Sequence, residues 1–183
     1  MQSDNGLAIM TPRGRVSIRA GVEADAPAYR ELRLEALLNH PEAFSSDYDS
    51  YLARPLSYWV GRLRFDCPDN EVMLFFAAHG QGLVGMCGVA YNRSRKTRHS
   101  AYLVSMYVRP GWRGQGIADA LVAACLDWAR ARAITVVKLG VAAANVPAIR
   151  CYVRCGFQVY GLEPQAIFEA GTLYDELLMA RAI

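Results

Sequence analysis

The chain has 183 residues, and its balance of 53% hydrophobic and 20% charged residues is typical of one globular domain with a sizeable core. The net charge of +3 suits an anionic small-molecule ligand but does not argue for a nucleic acid partner. No apolar run is long enough to cross a bilayer, so no membrane partner is expected.

The amino-terminal segment is polar and contains glycine, which predicts a disordered tail over residues 1–14 and a single domain over residues 15–183. It has no apolar core like that of a signal peptide, so a cytoplasmic location is expected. The first predicted strand covers residues 16–19. These expectations place the start of the folded domain near residue 15.

Two helices are predicted in the first third of the chain. Apolar side chains recur near helical spacing over residues 24–38, and the sequence Asn-His-Pro at residues 39–41 ends that pattern. Residues 44–54 are rich in Ser and Asp and predict a loop, and residues 56–63 predict a second helix. The pattern indicates a helical layer before the main strands.

Three aromatic residues of this region allow two interpretations. Tyr51, Tyr58 and Trp59 either line a pocket for an acceptor substrate or belong to the core. The sequence favours neither.

A series of strands follows. Residues 72–78 and 83–91 predict a hairpin, and residues 101–108 predict a strand that is covered on both faces, because it is almost continuously apolar. The basic residues 93–98 between them predict a solvated hairpin loop. The alternative interpretation of this loop is a rim that attracts an anionic substrate or the 3′-phosphate of a cofactor.

A glycine turn links the last of these strands to a long helix. Gly114 and Gly116 lie at the start of a helical pattern over residues 115–133, where free N–H groups and missing side chains admit an anion. Arg113 adds a cation whose fork geometry suits phosphate. The pattern is neither a P-loop nor a dinucleotide fingerprint, since no Gly-Lys-Ser/Thr ending is present and Asp119 replaces the third small residue.

A second pattern follows the strand predicted over residues 135–141. Asn145 precedes a helix with a proline in its first turn, which is typical of an N-cap. Gly156 is placed to end that helix in the left-handed conformation, and Phe157 is expected in the core.

The two patterns together resemble the cofactor motifs of the GNAT N-acetyltransferases. Arg113, Gly116 and Ala118 match Arg-x-x-Gly-x-Ala, and the second segment matches Asn-x-x-Ala-x-x-x-Tyr-x-x-x-Gly-Phe, in the family's order. The resemblance covers residues 101–160. It implies an α/β fold with a mixed, mostly antiparallel sheet, splayed at the cofactor site and covered by helices on both faces, and it implies acetyl-CoA as the co-substrate.

The resemblance also assigns residues. The expected cofactor-binding residues are Met106, Tyr107, Val108, Arg113, Gly114, Gln115, Gly116, Ile117, Ala118, Asn145 and Tyr152. The backbone of residues 106–108 would bind the pantetheine arm. Tyr152 would be the general acid that protonates the leaving thiolate, because a phenol is neutral at pH 7. The alternative is that Tyr152 packs against pantetheine and orients the thioester.

The general base is less well defined, because residues 101–118 contain no Asp or Glu. The candidate carboxylates elsewhere in the chain are Glu31, Glu35, Glu42, Asp47 and Glu176. The preferred hypothesis is a water-mediated route without a single strong base.

The expected activity is acetyl transfer from acetyl-CoA to a primary amine of a small molecule, by direct attack in a ternary complex. The alternatives are acetylation of a protein or peptide at an α-amino or lysine group, and a non-catalytic acyl-CoA-binding regulator. The family also suggests a homodimer. Five scattered cysteines argue against a disulfide framework, and no metal is expected.

Overall fold

The computed structural model describes residues 7–65, 70–91 and 93–183. Eight strands occur in these residues: β1 Leu7–Thr11, β2 Gly14–Ala20, β3 Val72–His79, β4 Gly82–Tyr91, β5 Ser100–Val108, β6 Val136–Ala142, β7 Gln158–Glu169 and β8 Thr172–Ala182. They form one sheet in the order β1-β2-β3-β4-β5-β6-β8-β7.

Five α-helices occur in the same described ranges: α1 Ala26–Asn39, α2 Tyr48–Leu52, α3 Leu56–Leu63, α4 Ile117–Arg130 and α5 Val146–Arg154. A 3-10 turn, Pro41–Ala43, follows α1. None of these helices is both long and apolar enough to cross a bilayer. The predicted helix over residues 56–63 is confirmed, whereas the predicted loop over residues 44–54 contains α2.

The sheet is antiparallel except between β5 and β6, which run parallel. Those two strands pair only where residues 100–102 face residues 136–138. Beyond that point β5 continues to Val108 and β6 to Ala142 without pairing to each other. The sheet is therefore splayed at its centre, as the resemblance implied.

A β-bulge lies in β5 beside the opening. The register with β4 shifts so that Ser105 and Met106 both lie opposite Cys87, and Ser105 adopts a left-handed φ of 57°. Bulges of this kind bend a strand and redirect its backbone groups. The bulge therefore turns β5 at the point where it leaves β6.

Two cores cover the two faces of the sheet. Alternate residues of β3 divide between them: Leu74 and Phe76 pack with α1 and α3, whereas Phe75 and Ala77 pack with α4. The predicted helices on both faces are confirmed. The prediction that β5 is covered on both faces is wrong at Tyr102, which is 50% exposed.

Two further expectations from the sequence differ from the structure. Leu7–Thr11, within the predicted disordered tail, forms β1 and pairs with β2, while residues 1–6 lie outside the described residues. The sequence also predicts a short strand near residues 157–160, whereas β7 extends over Gln158–Glu169. Its register with β8 shifts between Glu163 and Ile167, and this irregularity interrupts the alternation that marks a strand.

Candidate active site

A cleft of about 930 Å³ lies where β5 and β6 part. Its walls come from the end of β5, the start of α4, α5 and the turn after α1. Ten of the predicted cofactor-binding residues line it: Met106, Tyr107, Val108, Arg113, Gly114, Gly116, Ile117, Ala118, Asn145 and Tyr152. The fold therefore brings both sequence motifs together at one opening.

The glycine turn forms an open cradle at the start of α4. Gly114 and Gly116 have φ angles of 73° and 78°, and a Cβ atom on either would meet no protein atom within 4 Å. The N–H groups of residues 117–119 belong to the first helical turn and have no acceptor within the helix. Open space, free donors and the positive end of the helix dipole fit an anionic diphosphate.

The Arg113 side chain spans the cleft wall rather than lying free. Its Nε donates to the carbonyl oxygen of Val108 at 2.9 Å, and its Nη2 lies 2.9 Å from Nε2 of His40. Because a guanidinium only donates, Nε2 of His40 is the acceptor in this contact. Its other ring nitrogen, Nδ1, lies 3.5 Å from Glu42. Arg113 thus ties the cradle to the turn after α1.

Gln115 is the one predicted cofactor residue that does not line the cleft. Its Nε2 donates to the carbonyl oxygen of Gly111 at 3.3 Å, within the same turn. Only its backbone is placed to take part in the cradle.

Asp119 brings a negative charge to the rim of the cradle, where Arg154 balances it. Arg154 Nη2 donates to both carboxylate oxygens at 3.1 Å. The thiols of Cys151 and Cys155 each lie 3.6 Å from one of those oxygens, so both cysteines share a helix face as predicted. The ligand atoms of Asp119, Cys151 and Cys155 lie within 4.8 Å of one another. The expected absence of a metal stays a prediction.

The caps of α5 match the sequence pattern. Asn145 Oδ1 accepts from the N–H of Ala148 at 3.2 Å, and Pro147 lies in the first turn. Gly156 has a φ of 82° just after the helix ends, and Phe157 is 2% exposed in the core. The capping roles are confirmed by this geometry.

Tyr152 reaches the cleft from α5. Its side chain is 7% exposed and packs edge-on against Phe157, with ring centroids 6.0 Å apart. Burial raises the pKa of Tyr152 well above its ordinary value. The phenol therefore stays neutral and keeps a proton that it can donate.

Three of the five candidate bases are engaged elsewhere. Arg109 binds Glu31 at 2.7 Å and Glu35 at 2.9 Å, linking the end of β5 to α1. Asp47 accepts from the N–H of Ser50 and caps α2. The three carboxylates thus have structural roles, two in ion pairs with Arg109 and one as a helix cap.

The other two candidates remain near the cleft. Glu42 lines it beside His40. Glu176 lies half-buried on β8, where burial and then the charge of Glu163 raise the pKa of its carboxyl group. Sequence alone could not rank them, because the register of β8 decides where Glu176 lies.

The structure decides between the two interpretations of the aromatic residues Tyr51, Tyr58 and Trp59. Trp59 is fully buried, and Tyr51 and Tyr58 pack around it in the core, so the core interpretation is correct. Residues 93–98 do not line the cleft either. The wall opposite the cradle is instead the segment after α1, of which the sequence pointed only to Glu42, as a candidate base: His40, Glu42, Ala43 and Phe44.

Comparison with known families agrees with this geometry. Residues 31–157, well over half of the chain, match the family model for the acetyltransferase (GNAT) family. The chain belongs to the GNAT family. The match covers the turn after α1, the parted strands, the cradle and α5, which are the elements that form the cleft.

A curated relative is the mycothiol acetyltransferase of Acidothermus cellulolyticus. It is 33% identical over 162 residues, which cover 81% of this chain and 45% of the relative. The chain spans less than half the length of the curated relatives it matches. The similarity therefore concerns one part of those proteins.

Two solved structures share the fold. A ribosomal-protein-alanine N-acetyltransferase from Brucella melitensis is 26% identical with a TM-score of 0.72, covering 91% of this chain and 99% of its own. A phosphinothricin acetyltransferase from Sinorhizobium meliloti, solved with acetyl-CoA, is 20% identical with a TM-score of 0.77, covering 92% and 88%. The three names differ in their acceptors, so the GNAT assignment does not define the acceptor of this chain.

Proposed function

We propose that the chain is an acetyl-CoA-dependent N-acetyltransferase that acetylates a primary amine of a small molecule. The observation that carries the proposal is one cleft that joins an open anion cradle to a buried, neutral Tyr152 across the parted strands. Membership of the GNAT family and the acetyl-CoA complex of the Sinorhizobium neighbour support the choice of co-substrate.

The chain's own groups fit the parts of this co-substrate. The backbone N–H groups at the start of α4 would bind the diphosphate, and β5 beyond Tyr102 has backbone groups with no β6 partner, free to bind the pantetheine arm. A preorganised N–H group there would also polarise the acetyl carbonyl. Acetyl-CoA supplies an activated thioester when it is bound.

Tyr152 would complete the transfer as the general acid. The neutral amine of the acceptor forms the new C–N bond, the C–S bond breaks, and Tyr152 gives its phenolic proton to the leaving sulfur. The nitrogen releases one proton to water and becomes the amide nitrogen. Its burial supports this role, because a phenol with a raised pKa remains protonated at neutral pH. Tyr152 regains a proton from solvent after product release.

The turn after α1 favours a small acceptor over a protein segment. Pro41–Ala43 contacts both β6 and β7 and so extends across the acceptor side of the sheet. A turn in this position narrows the entrance to the cleft for the acceptor, whereas a protein substrate needs an open groove across the sheet. The expected homodimer and cytoplasmic location stay predictions.

A screen of CoA release tests this proposal. Purified protein is incubated with acetyl-CoA and a panel of small amines, amino acids and peptides, and the thiol of released CoA is measured. The Tyr152→Phe variant is assayed in parallel as the control. We expect release with a small-molecule amine. Release only with peptides would favour a protein acceptor, and acetyl-CoA binding without any release would favour the non-catalytic alternative.

A further inference from the structure

Glu176 lies beside the gap between the parted strands, next to a residue that lines the cleft. The pairing of β6 with β5 ends at Lys138, so Gly140 is already part of the opening. In β8, Glu176 pairs with Ala142, which lines the cleft. A Cβ atom on Gly140 would lie only 2.5 Å from Oε2 of Glu176, so the carboxylate extends over this glycine.

The carboxylate is on the acceptor side of the sheet. Leu139 and Val141 of β6 pack into the core that contains α4 and Tyr152. Because side chains alternate along a strand, Gly140 and its neighbour Glu176 face the opposite side. That side carries the turn Pro41–Ala43, which contacts β6 and β7. Tyr152 and Glu176 therefore approach the gap from opposite faces.

The charged groups around Glu176 leave its carboxylate able to accept a proton. Glu163 lies directly across on β7, Glu42 belongs to the covering turn, and Lys138 lies two residues before Gly140 on the same face. Lys138 is directed toward Tyr102, with Nζ 5.8 Å from the ring. No ion pair within residues 7–65, 70–91 and 93–183 holds the Glu176 carboxylate.

We propose that Glu176 is the general base of the acetyl transfer, and this inference rests on the proposed function. Its carboxylate takes one proton from the acceptor ammonium group. The freed nitrogen lone pair forms the C–N bond, the C–S bond breaks, and the sulfur receives the proton of Tyr152. The nitrogen then releases its second proton to water to leave the neutral amide, and Tyr152 regains a proton from solvent. Glu176 then releases its proton to water. This assignment replaces the water-mediated route expected from the sequence.

The pH dependence of kcat/KM is the test, measured with the most active amine of the screen. For the wild type we expect a rising limb below the pKa of the amine, because the base is a carboxylate. The limb should lie above the usual range of a carboxyl group, because burial and Glu163 raise the pKa of Glu176. Glu176→Gln should remove that limb and lower kcat roughly 100-fold or more. Glu163→Gln should retain activity and move the limb to lower pH, because it removes the neighbouring negative charge.

A matched pair of glycine variants tests the position of the carboxylate. Gly140→Ala places a methyl group 2.5 Å from Glu176 Oε2 and should lower kcat at least 10-fold while acetyl-CoA affinity is unchanged. In Gly161→Ala the added methyl group meets Leu178 at 3.6 Å, an ordinary contact, so the rate should not change. Thermal melting of each variant confirms that it folds.

Two outcomes would overturn the assignment of the base while leaving the proposed function intact. One is a Glu176→Gln enzyme that keeps the wild-type kcat and rises in rate only toward the pKa of the amine. The other combines two results: Glu176→Gln is slow but keeps the rising limb in its pH profile of kcat/KM, and Gly140→Ala keeps the wild-type kcat. A wild-type protein that binds acetyl-CoA but acetylates nothing would contradict the proposed function itself.

Discussion

Tyr152 illustrates how a single side chain takes its chemistry from its surroundings. Its spacing from Asn145 was visible in the sequence, but the state of its proton depends on burial beside α4 and Phe157. A phenol in water has a pKa of about 10. The buried position raises this pKa further, which favours proton donation over any role as an anion.

Tyr152→Phe should lower kcat roughly 100-fold while the affinity for acetyl-CoA stays within about twofold, because the ring is retained and only the proton is lost. Steady-state kinetics and calorimetry on the same preparation would measure both quantities. A parallel fall in affinity would instead indicate that Tyr152 orients the thioester.

The sequence located residues such as Arg113 but not their partners. Arg113 was expected to meet phosphate, whereas its guanidinium contacts the Val108 carbonyl and His40, which is 73 residues away in the chain. Glu176 was one of five equivalent carboxylates until the register of β6 and β8 placed it over Gly140. Contacts of this kind depend on tertiary packing, which local spacing does not encode.

At the scale of elements, α5 shows one residue that serves both local structure and the cleft. Asn145 caps the helix through the N–H of Ala148 and also lines the cleft. The helix holds Tyr152 two turns later, so its start determines where the phenol lies. Capping and cofactor contact are separable by experiment, since Asp caps a helix as well as Asn.

Asn145→Ala should lower the free energy of unfolding by about 1 kcal/mol, because an N–H group of the first turn loses its acceptor. Asn145→Asp should keep the stability near that of the wild type. If Asn145 also touches the cofactor, the added negative charge should weaken acetyl-CoA binding. Urea unfolding and calorimetry measure the two effects, and equal stability of all three proteins would contradict the capping role.

Elements with clear local signals in the sequence were predicted correctly, and elements without such signals were missed or underestimated. The hairpin of β3 and β4, helix α3 and the caps of α5 were marked by glycine, proline or clear periodicity, and the structure contains them. Helix α2 spans only Tyr48–Leu52, too short for a periodic pattern. Strand β7 was underestimated because its irregular register and exposed apolar residues hide the usual alternation. Strand β1 lies in a polar segment that only pairing with β2 orders.

At the scale of the whole molecule, an ion pair links the start of α1 to strand β2 of the sheet. Asp25, at the start of α1, accepts two bonds of 2.7 Å from Arg19 of β2 and one of 2.9 Å from the N–H of Val22. Burial alone would raise the pKa of this carboxyl group. The bonds from Arg19 and Val22 outweigh burial, so the pKa is lower than its ordinary value.

Asp25→Asn should lower the free energy of unfolding by roughly 2 kcal/mol at neutral pH. Because the folded-state pKa is depressed, the wild-type advantage is full above the unfolded pKa of Asp and is lost as the pH falls through the folded value. Urea unfolding from pH 7 down to pH 2 measures this convergence. Glu23→Gln, which removes an exposed pair with Arg64, is the matched control and should have little effect.

Calorimetry of acetyl-CoA binding tests most directly whether the cradle at the start of α4 holds this co-substrate. Gly116→Glu places bulk and negative charge in the cradle, whereas Gly171→Glu introduces the same side chain at a positive φ in the turn between β7 and β8. Melting curves establish that both variants fold. We predict binding by the wild type and Gly171→Glu and at least a 100-fold loss for Gly116→Glu. Unchanged affinity of Gly116→Glu, or no binding by the wild type, would contradict the account.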